Sequence, residues 1–311
     1  MAQKKSRTSI VIPVHNEEKV LLELYSRIKN VGKEIDLLEL IFVDDGSTDG
    51  SWKYIEKLQK RDSRVIGVRL TRNFGHQNAV LCGISKTKGS VIAIMDGDLQ
   101  DPPELLPSMI KMLTPDVDIV YGQRLSRSGE NLFKRITANF FYRIFQKLVP
   151  FNLPVDVGDF RVFKKHVGDI VLQSRDQYPF VRALFAHSGF KSMPFLYNRD
   201  PRFSGETKYN LRKMFALALT ALLSFSEAPF RFALRIAFIL LITTSIISIY
   251  AIIHAVTESS LPGWVSLFLP IIFFGSLNFL FIVLLGNYIT SILGVISHRP
   301  RWVEWSVIKR Q

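Results

Sequence analysis

The sequence has 311 residues, 48% of them hydrophobic, and a formal net charge of +13. This charge suits two kinds of anionic partner, nucleic acid or a membrane surface. However, Lys and Arg are absent between Ile236 and His298, where Glu258 is the one acidic residue. This apolar region favours a membrane, and no interleaving of basic and aromatic residues supports nucleic-acid binding. The single cysteine, Cys82, excludes an intrachain disulfide and a multi-cysteine metal site.

The first 125 residues alternate between short β-branched runs and helical patterns. This alternation predicts an α/β fold with a mostly parallel sheet and helices on both faces. Ligands of such sheets bind beyond the carboxyl ends of the strands, so the polar residues there are the candidates for a site. The predicted strands are Ser9–Val14, Leu40–Asp44, Val65–Leu70, Val91–Met95 and Ile119–Tyr121, and the predicted helices include Glu17–Asn30, Ser51–Arg61 and Gln77–Ser85.

The rest of the chain is predicted to contact a membrane. Residues 131–148 form a basic amphipathic pattern that suits a membrane interface, although an ordinary surface helix has the same pattern. A second amphipathic segment, 211–232, leads into two apolar runs, Ala233–Val256 and Val265–Ile289, each about as long as the ~20 residues of a bilayer span. We therefore predict a cytosolic domain over 1–210, a two-helix transmembrane hairpin over 233–297, and a cytosolic basic tail over 298–311.

The charges around the hairpin predict its orientation. Both outer flanks of the two apolar runs are basic, and the short turn between them has no Lys or Arg. The positive-inside rule then places both flanks in the cytoplasm. Residues 2–9 lack the apolar core of a signal peptide, so we expect the polar domain to stay in the cytosol. The prediction is a multi-pass protein of the cytoplasmic membrane, with its catalytic domain and both termini in the cytosol.

Two carboxylates follow the predicted strand Val91–Met95. Asp96 and Asp98 lie two residues apart, so in extended chain they face the same way and can point at one cation. Hard oxygen ligands suit Mg²⁺ or Mn²⁺, which usually also hold substrate phosphates. Gln100 is a further possible ligand. The pattern predicts a divalent metal site at this strand end.

Polar residues also follow the first two predicted strands. Asp44 and Asp45 could accept hydrogen bonds from a base or ribose, but Asp and Ser before a helix also serve turns and caps. The two interpretations can hold for different members of the run. Glu17, in a loop shaped by Pro13, could accept a ribose hydroxyl.

Four ordered motifs, at residues 12–17, 43–49, 72–75 and 96–104, together resemble those of one enzyme family. They look like those of family-2 glycosyltransferases with the GT-A fold, a Rossmann-like catalytic domain. The resemblance is strongest to polyprenyl-phosphate glycosyltransferases, namely dolichol-phosphate mannose synthases and bactoprenol glucosyltransferases of the GtrB type, and includes the two C-terminal spans.

The resemblance implies roles for individual residues. Pro13, Glu17 and Asp45 would hold the nucleoside with Asp44 beside them, and Asp96, Asp98 and Gln100 would bind the metal and the donor diphosphate. Residues 156–161 look like the acceptor-side motif, with Asp159 as the essential acid and Asp156 in reserve. The basic residues that would meet phosphates of the donor or the lipid are Arg124, Arg127, Arg202 and Lys208.

The resemblance also implies an activity. The enzyme would transfer a hexose from a nucleotide-sugar, preferably UDP-glucose, to a polyprenyl phosphate with inversion and with Mg²⁺ or Mn²⁺. Alternatives are GDP-mannose or another donor, transfer to another membrane lipid, and a catalytically silent nucleotide-binding scaffold. The sequence does not identify the sugar, and a homo-oligomer is possible. A Q-x-x-R-W signature, as in processive synthases, is absent, which disfavours polymer synthesis.

Overall fold

The computed structural model describes residues 7–125, 157–174, 179–198, 265–296 and 300–309, together with eight positions between 235 and 249. The chain divides into two compact units. The first comprises 1–146, 151–217 and 299–311, and the second comprises 147–150 and 218–298. The predicted interface segments 131–148 and 211–232 lie outside the described residues.

The first unit is a mixed α/β structure around one sheet. Within the described residues its strands are β1 Thr8–Val14, β2 Leu37–Asp44, β3 Val65–Leu70, β4 Val91–Ile94, β5 Ile119–Arg124, β6 Val157–Lys164, β7 Ser192–Tyr197 and β8 Glu304–Ile308. Its helices are α1 Leu21–Val31, α2 Ser51–Arg61, α3 His76–Lys86, α4 Leu106–Lys111, α5 Lys165–Leu172 and α6 Val181–His187, with a 3₁₀ turn at Pro103–Leu105.

The strand order in the sheet is β7-β5-β6-β4-β1-β2-β3-β8. The four strands β4-β1-β2-β3 are mutually parallel, which gives the Rossmann-like centre that the strand–helix alternation predicts. β6 is antiparallel to both β4 and β5. Its first residues therefore lie beside the carboxyl end of β4, which brings residues near 159 to the edge where residues near 96 emerge.

Hydrophobic packing on both faces fixes this sheet. β1 is buried along its whole length, as expected of a central parallel strand. One face of the sheet packs against α1 and α2 in the main core, with Ile12 and Phe42 among its members. The other face packs against α3, where Gly83 lies against Val11 and Val43. Alternate residues of a strand thus serve opposite layers.

The edge strand beside β3, which is β8, was not predicted by the sequence analysis. Residues 298–311 are predicted as a basic tail, but β8 within it pairs antiparallel with β3, with Gly67 opposite Ile308. Ile308 packs against the main core, and Lys86 of α3 forms an ion pair of 2.8 Å with Glu304. This stretch is therefore part of the first unit.

The second unit contains one long described helix, α7, over Val265–Ile296. Its bounds include the predicted apolar run Val265–Ile289. Many large apolar side chains described in this unit are exposed, for example Phe238 at 64% and Phe279 at 68%. Among the described residues we found no helix that combines the length and the apolarity needed to cross a membrane. The predicted transmembrane hairpin therefore stays a prediction.

Candidate active site

Three predicted site loops meet at the carboxyl edge of the parallel strands. Val14 pairs with Asp44, so the loops after β1 and β2 begin side by side, and β4 lies on the other side of β1. Gly97, after β4, lies so close to the first loop that a Cβ there would stand 3.1 Å from the Pro13 carbonyl oxygen and 3.9 Å from Glu17 Cγ. The structure thus brings Pro13, Glu17 and the Asp96 loop together.

Asp96 offers a buried carboxylate oxygen to this edge. Its Oδ1 has no hydrogen-bond partner among the described residues. Burial raises the pKa of Asp96 to about 6, against the opposing effect of His76 and with further repulsion from neighbouring acids. A buried carboxylate oxygen without a hydrogen-bond donor fits a cation. Asp98 Oδ1 accepts a hydrogen bond of 3.2 Å from the Gln100 main-chain N–H, so these two predicted ligands belong to the same turn.

A second set of possible ligands also contains Asp96. Single ligand atoms of His76, Asp96 and Asp159 lie within 4.8 Å of one another. One imidazole nitrogen and two carboxylates form a donor set that Mn²⁺ and related divalent cations accept. The metal residues predicted from the sequence and those grouped by the structure therefore share Asp96, and both groups fit a divalent cation at the end of β4.

His76 already carries positive character between the two acids. Its Nε2 lies 3.0 Å from Asp159 Oδ2 and 3.4 Å from Asp96 Oδ1. Burial alone would lower the pKa of His76, but the hydrogen bond to Asp159 and the charges of both acids raise it to about 9. A metal ion bound here would take over this charge compensation from the imidazolium.

Asp159 is the most heavily paired carboxylate of the site. It is 2% exposed, and Gln77 Nε2 and Arg182 Nε donate hydrogen bonds of 3.0 Å to its two oxygens. The guanidinium of Arg161 lies 3.7 Å away. Although burial opposes ionisation, Arg182, His76 and Arg161 hold the pKa of Asp159 well below its usual range. A carboxylate held ionised in this way accepts a proton poorly.

Arg161 provides a buried positive charge next to Asp159. It is 3% exposed, donates to the Gly158 carbonyl at 3.0 Å, and stacks over the Phe185 ring at 4.4 Å. Burial lowers its pKa to about 10, despite the favourable charge of Asp159. Arg161 therefore remains charged near neutral pH, and the site contains a buried ion pair.

Asp44 and Asp45 have different surroundings. Asp44 is fully buried, and its Oδ1 accepts a hydrogen bond of 3.0 Å from the Ser47 N–H, which is turn chemistry. Asp45 accepts main-chain hydrogen bonds from Phe74 at 2.7 Å and Gly75 at 3.0 Å. Both side chains thus organise loops at the carboxyl edge. The nucleoside-binding role predicted for them stays a prediction.

Arg124 is the predicted phosphate ligand that the structure describes. Arg124 is the last residue of β5 and is partly exposed. A Cβ added at Gly158 would stand 2.9 Å from Arg124 Nη2, so the guanidinium lies beside the residue that precedes Asp159. Arg124 also hydrogen-bonds Tyr197, whose hydroxyl donates to Asp101 at 2.5 Å. Burial and Asp101 raise the pKa of Tyr197 strongly. The other predicted residues Arg127, Asp156, Arg202 and Lys208 lie outside the described residues.

The sequence analysis missed three residues that contact the predicted acid. His76 and Gln77 begin α3 directly after the motif at 72–75, and Arg182 lies in the first turn of α6. Of the three, His76 and Gln77 have a signal in the sequence, because they lie at a helix start that follows a strand end. Arg182 comes 23 residues after Asp159, and no spacing rule links them.

Comparison with known proteins assigns the chain to a family. Residues 9–172 match the family described as Glycosyl transferase family 2. The chain belongs to this family. It is a glycosyltransferase, as the motifs predict, and its mixed sheet with a parallel centre agrees with the predicted GT-A fold. The matched range includes Asp45, Asp96 and Asp159.

Similar proteins of the family match nearly the whole chain. The Bacillus subtilis glycosyltransferase YkcC is 37% identical over 298 residues, which cover 95% of this chain and 92% of that protein. The prophage bactoprenol glucosyl transferase homolog of Escherichia coli is 30% identical and covers 96% and 98%. The bactoprenol glucosyl transferase of Shigella phage SfV is also 30% identical and covers 96% and 97%. The similarity therefore extends beyond the family-2 domain.

Proposed function

We propose that this glycosyltransferase moves a hexose from a nucleotide-sugar to a polyprenyl phosphate. The observation that carries the proposal is the 30% identity to bactoprenol glucosyl transferases over 96% of the chain, which includes the apolar region after the catalytic domain. UDP-glucose is the preferred donor, with GDP-mannose or another nucleotide-sugar as the alternative. The products would be a polyprenyl-phosphate sugar and a nucleoside diphosphate.

The donor half of the site would be the carboxyl end of β4. Asp96, with Asp98 and Gln100 or with His76 and Asp159, would hold Mg²⁺ or Mn²⁺. The metal would supply charge neutralisation for the leaving diphosphate. The buried oxygen Asp96 Oδ1, which has no hydrogen-bond partner among the described residues and faces His76 Nε2 at 3.4 Å, supports this assignment. Pro13, Glu17, Asp44 and Asp45 would form the nucleoside side of the same edge.

The acceptor half would use Asp159 to orient groups and not to remove a proton. Phosphate monoesters have a second pKa of about 6, so a lipid phosphate is already largely dianionic at pH 7. Asp159 is fixed by Gln77 and Arg182 and has a strongly lowered pKa. Both facts favour a mechanism in which the acceptor oxygen attacks the anomeric carbon directly. Such a displacement inverts the configuration, and an α-linked product detected by NMR coupling would refute it.

We further propose that the enzyme works at the cytoplasmic membrane face. Support comes from the region 236–298, which lacks Lys and Arg and has one acidic residue, and from its basic flanks. The described apolar side chains of the second unit are largely exposed, as expected of a surface that contacts lipid or protein. The enzyme would be anchored by the predicted hairpin over 233–297, with the catalytic domain in the cytosol.

The test uses membranes that contain the protein and undecaprenyl phosphate. Radiolabelled UDP-glucose, UDP-GlcNAc and GDP-mannose are offered in turn, with Mg²⁺, Mn²⁺ or EDTA. We expect label in the organic-extractable lipid with one donor, and loss of that label with EDTA and in Asp96→Ala. Asp116→Ala, an exposed acid in the loop before β5, is the matched control and should keep the activity.

Two results would overturn the proposal. Thin-layer analysis that finds the label in a diacylglycerol lipid would replace polyprenyl phosphate by another acceptor. Folded protein that binds UDP but labels no lipid with any donor would favour the silent scaffold. Activity that survives EDTA and Asp96→Ala would remove the metal from the mechanism.

A further inference from the structure

The side-chain amide of Gln77 connects three elements around the site. Its Nε2 donates to Asp159 Oδ2 at 3.0 Å, and its Oε1 accepts from the Val181 main-chain N–H at 2.8 Å. Gln77 belongs to the first turn of α3, Asp159 to β6, and Val181 is the first residue of α6. One partly buried side chain thus ties the acceptor-side acid to the start of a neighbouring helix.

Arg182 closes this connection into a ring. It follows Val181 directly, and its Nε donates to Asp159 Oδ1 at 3.0 Å, so both oxygens of the carboxylate are used. The ring passes from Gln77 to Asp159, on to Arg182, and through the main chain of Val181 back to Gln77. Moving any member would break at least one hydrogen bond of the ring.

The ring requires an amide at position 77. An ionised carboxylate only accepts hydrogen bonds, and a main-chain N–H only donates, so the side chain between them must offer both functions. Glutamate would keep the bond from Val181 but set a second negative charge against Asp159. Leucine would lose both bonds. Glutamine therefore matches its two partners, and the amide can lie in only one orientation.

The guanidinium of Arg182, which this ring holds in place, is suited to bind phosphate. The Arg182 side chain is 30% exposed, and Asp159 lies within hydrogen-bonding distance of His76, which faces Asp96. Guanidinium groups bind phosphate oxygens through two N–H donors that lie in one plane. A guanidinium with a fixed orientation therefore binds phosphate more tightly. Both substrates under the proposed function carry phosphate, the donor as a diphosphate and the acceptor as a monoester.

We propose that Gln77 is a positioning residue that fixes Arg182, through Asp159 and Val181, to receive a phosphate oxygen of a substrate. The inference rests on the proposed function for the identity of the substrates. It assigns to Arg182 the contact with phosphate and to Gln77 the orientation of Arg182. The ring consists of protein groups alone, so it restricts the Arg182 side chain and lowers the ordering cost of binding phosphate.

Binding measurements test the proposal without requiring turnover. Calorimetry with the full-length protein in detergent would measure UDP with Mg²⁺, as the donor phosphate, and a short-chain prenyl phosphate, as the acceptor phosphate. We expect Gln77→Leu and Arg182→Ala each to weaken the same one of these two ligands by about 10- to 100-fold, the range of a lost charge-assisted hydrogen bond. The ligand that weakens identifies which phosphate Arg182 receives.

The double variant separates positioning from general damage. If Gln77 acts through Arg182, adding Gln77→Leu to Arg182→Ala should weaken binding no further. Gln59→Leu, the same change on α2, should leave both affinities unchanged. Gln77→Glu, which keeps the bond from Val181, should reproduce the loss and serves if the leucine variant does not fold.

Two outcomes would overturn the proposal. Unchanged affinity for both ligands in folded Gln77 variants would remove the positioning role, and additive losses in the double variant would show that Gln77 acts independently of Arg182. Either result is distinct from failure of the proposed function, which would appear as absent transfer by a wild-type protein that binds both ligands.

Discussion

Asp45 and Asp159 are both 2% exposed at the same edge of the sheet, but their partners differ. Asp45 accepts from the main-chain N–H groups of Phe74 and Gly75, whereas Asp159 is surrounded by His76, Gln77, Arg161 and Arg182. Burial raises the pKa of Asp45 despite its two hydrogen bonds. The cations instead keep the pKa of Asp159 well below its usual range, although burial opposes them.

This difference separates two uses of a buried acid. Neutral main-chain donors let Asp45 hold a loop in shape. Charged side chains make Asp159 part of a charge cluster whose members come from α3, β6 and α6. The first arrangement mainly stabilises local structure, and the second creates an electrostatic environment for substrates. Variants of the two acids should therefore differ in both size and kind of effect.

The largest effect is expected from Asp159→Asn. It removes the charge that compensates the buried Arg161, and unpairing a buried ion pair costs about 3–5 kcal/mol. We expect this loss in the free energy of unfolding, together with a fall in transfer rate of at least about 100-fold. The measurements are chemical unfolding in detergent and the lipid-labelling assay at pH 7 to 9. Recovery of the rate at alkaline pH would indicate that Asp159 acts as a simple base.

A smaller effect is expected from Asp45→Asn. The amide oxygen can still accept from one main-chain N–H, while the other is left facing an NH₂ group, at a cost of about 1–3 kcal/mol. If Asp45 also holds the nucleoside, the UDP affinity should fall by more than the stability change explains. Calorimetry and unfolding of the same variant measure the two effects. Equal stability losses for Asp45→Asn and Asp159→Asn would contradict the distinction between the two acids.

At acid pH, the two residues should make the free energy of unfolding change with pH in opposite directions. The folded-state pKa of Asp159 lies below its usual value, so its contribution is present above about pH 4 and is lost as the pH falls towards the folded-state value. The pKa of Asp45 lies above its usual value, so this residue makes stability fall as the pH rises through the interval just above about pH 4. Unfolding between about pH 2 and pH 6 measures both slopes. Asp159→Asn should remove the first slope, and Asp45→Asn the second.

The smallest effect is expected from Asp44→Asn. The asparagine oxygen keeps the hydrogen bond from Ser47, and the lost ion pair is the one to Arg69, which is 38% exposed and 3.5 Å away. Such a partly exposed pair contributes less than about 1 kcal/mol. An unchanged unfolding free energy with weakened UDP binding would support the nucleoside role of Asp44, and unchanged values for both would leave it as a turn residue.

The centre of the fold was predictable because its strands are parallel and buried. Such strands have uninterrupted β-branched runs, and the predicted bounds Val65–Leu70 and Ser51–Arg61 agree with β3 and α2. β6, β7 and β8 were not predicted. β8 alternates between partly and largely exposed residues in a basic segment, and it is defined by a partner in β3 that lies 241 residues earlier. Local patterns contain no information about such a pairing.

The candidate site could be proposed in part from the sequence. Asp96 could be proposed from its place after a predicted strand, and Asp159 from the resemblance to family-2 glycosyltransferases, and the roles of both stay predictions. His76, Gln77 and Arg182 could not, since their roles arise when α3 and α6 approach β6. Gln77 and Asp159 are 82 residues apart in sequence. Only the tertiary structure reveals which neutral or basic residue meets the acid.

The position of β8 has a consequence for synthesis of the protein. β3 is made early, but the strand that covers its edge follows only after the whole second unit has been translated. At about 5–20 residues per second, the ribosome needs roughly 12–48 s to pass from Gly67 to Ile308. During that time the edge of β3 is open to pairing with other chains. The nascent enzyme therefore passes through a stage in which its catalytic sheet needs protection from aggregation.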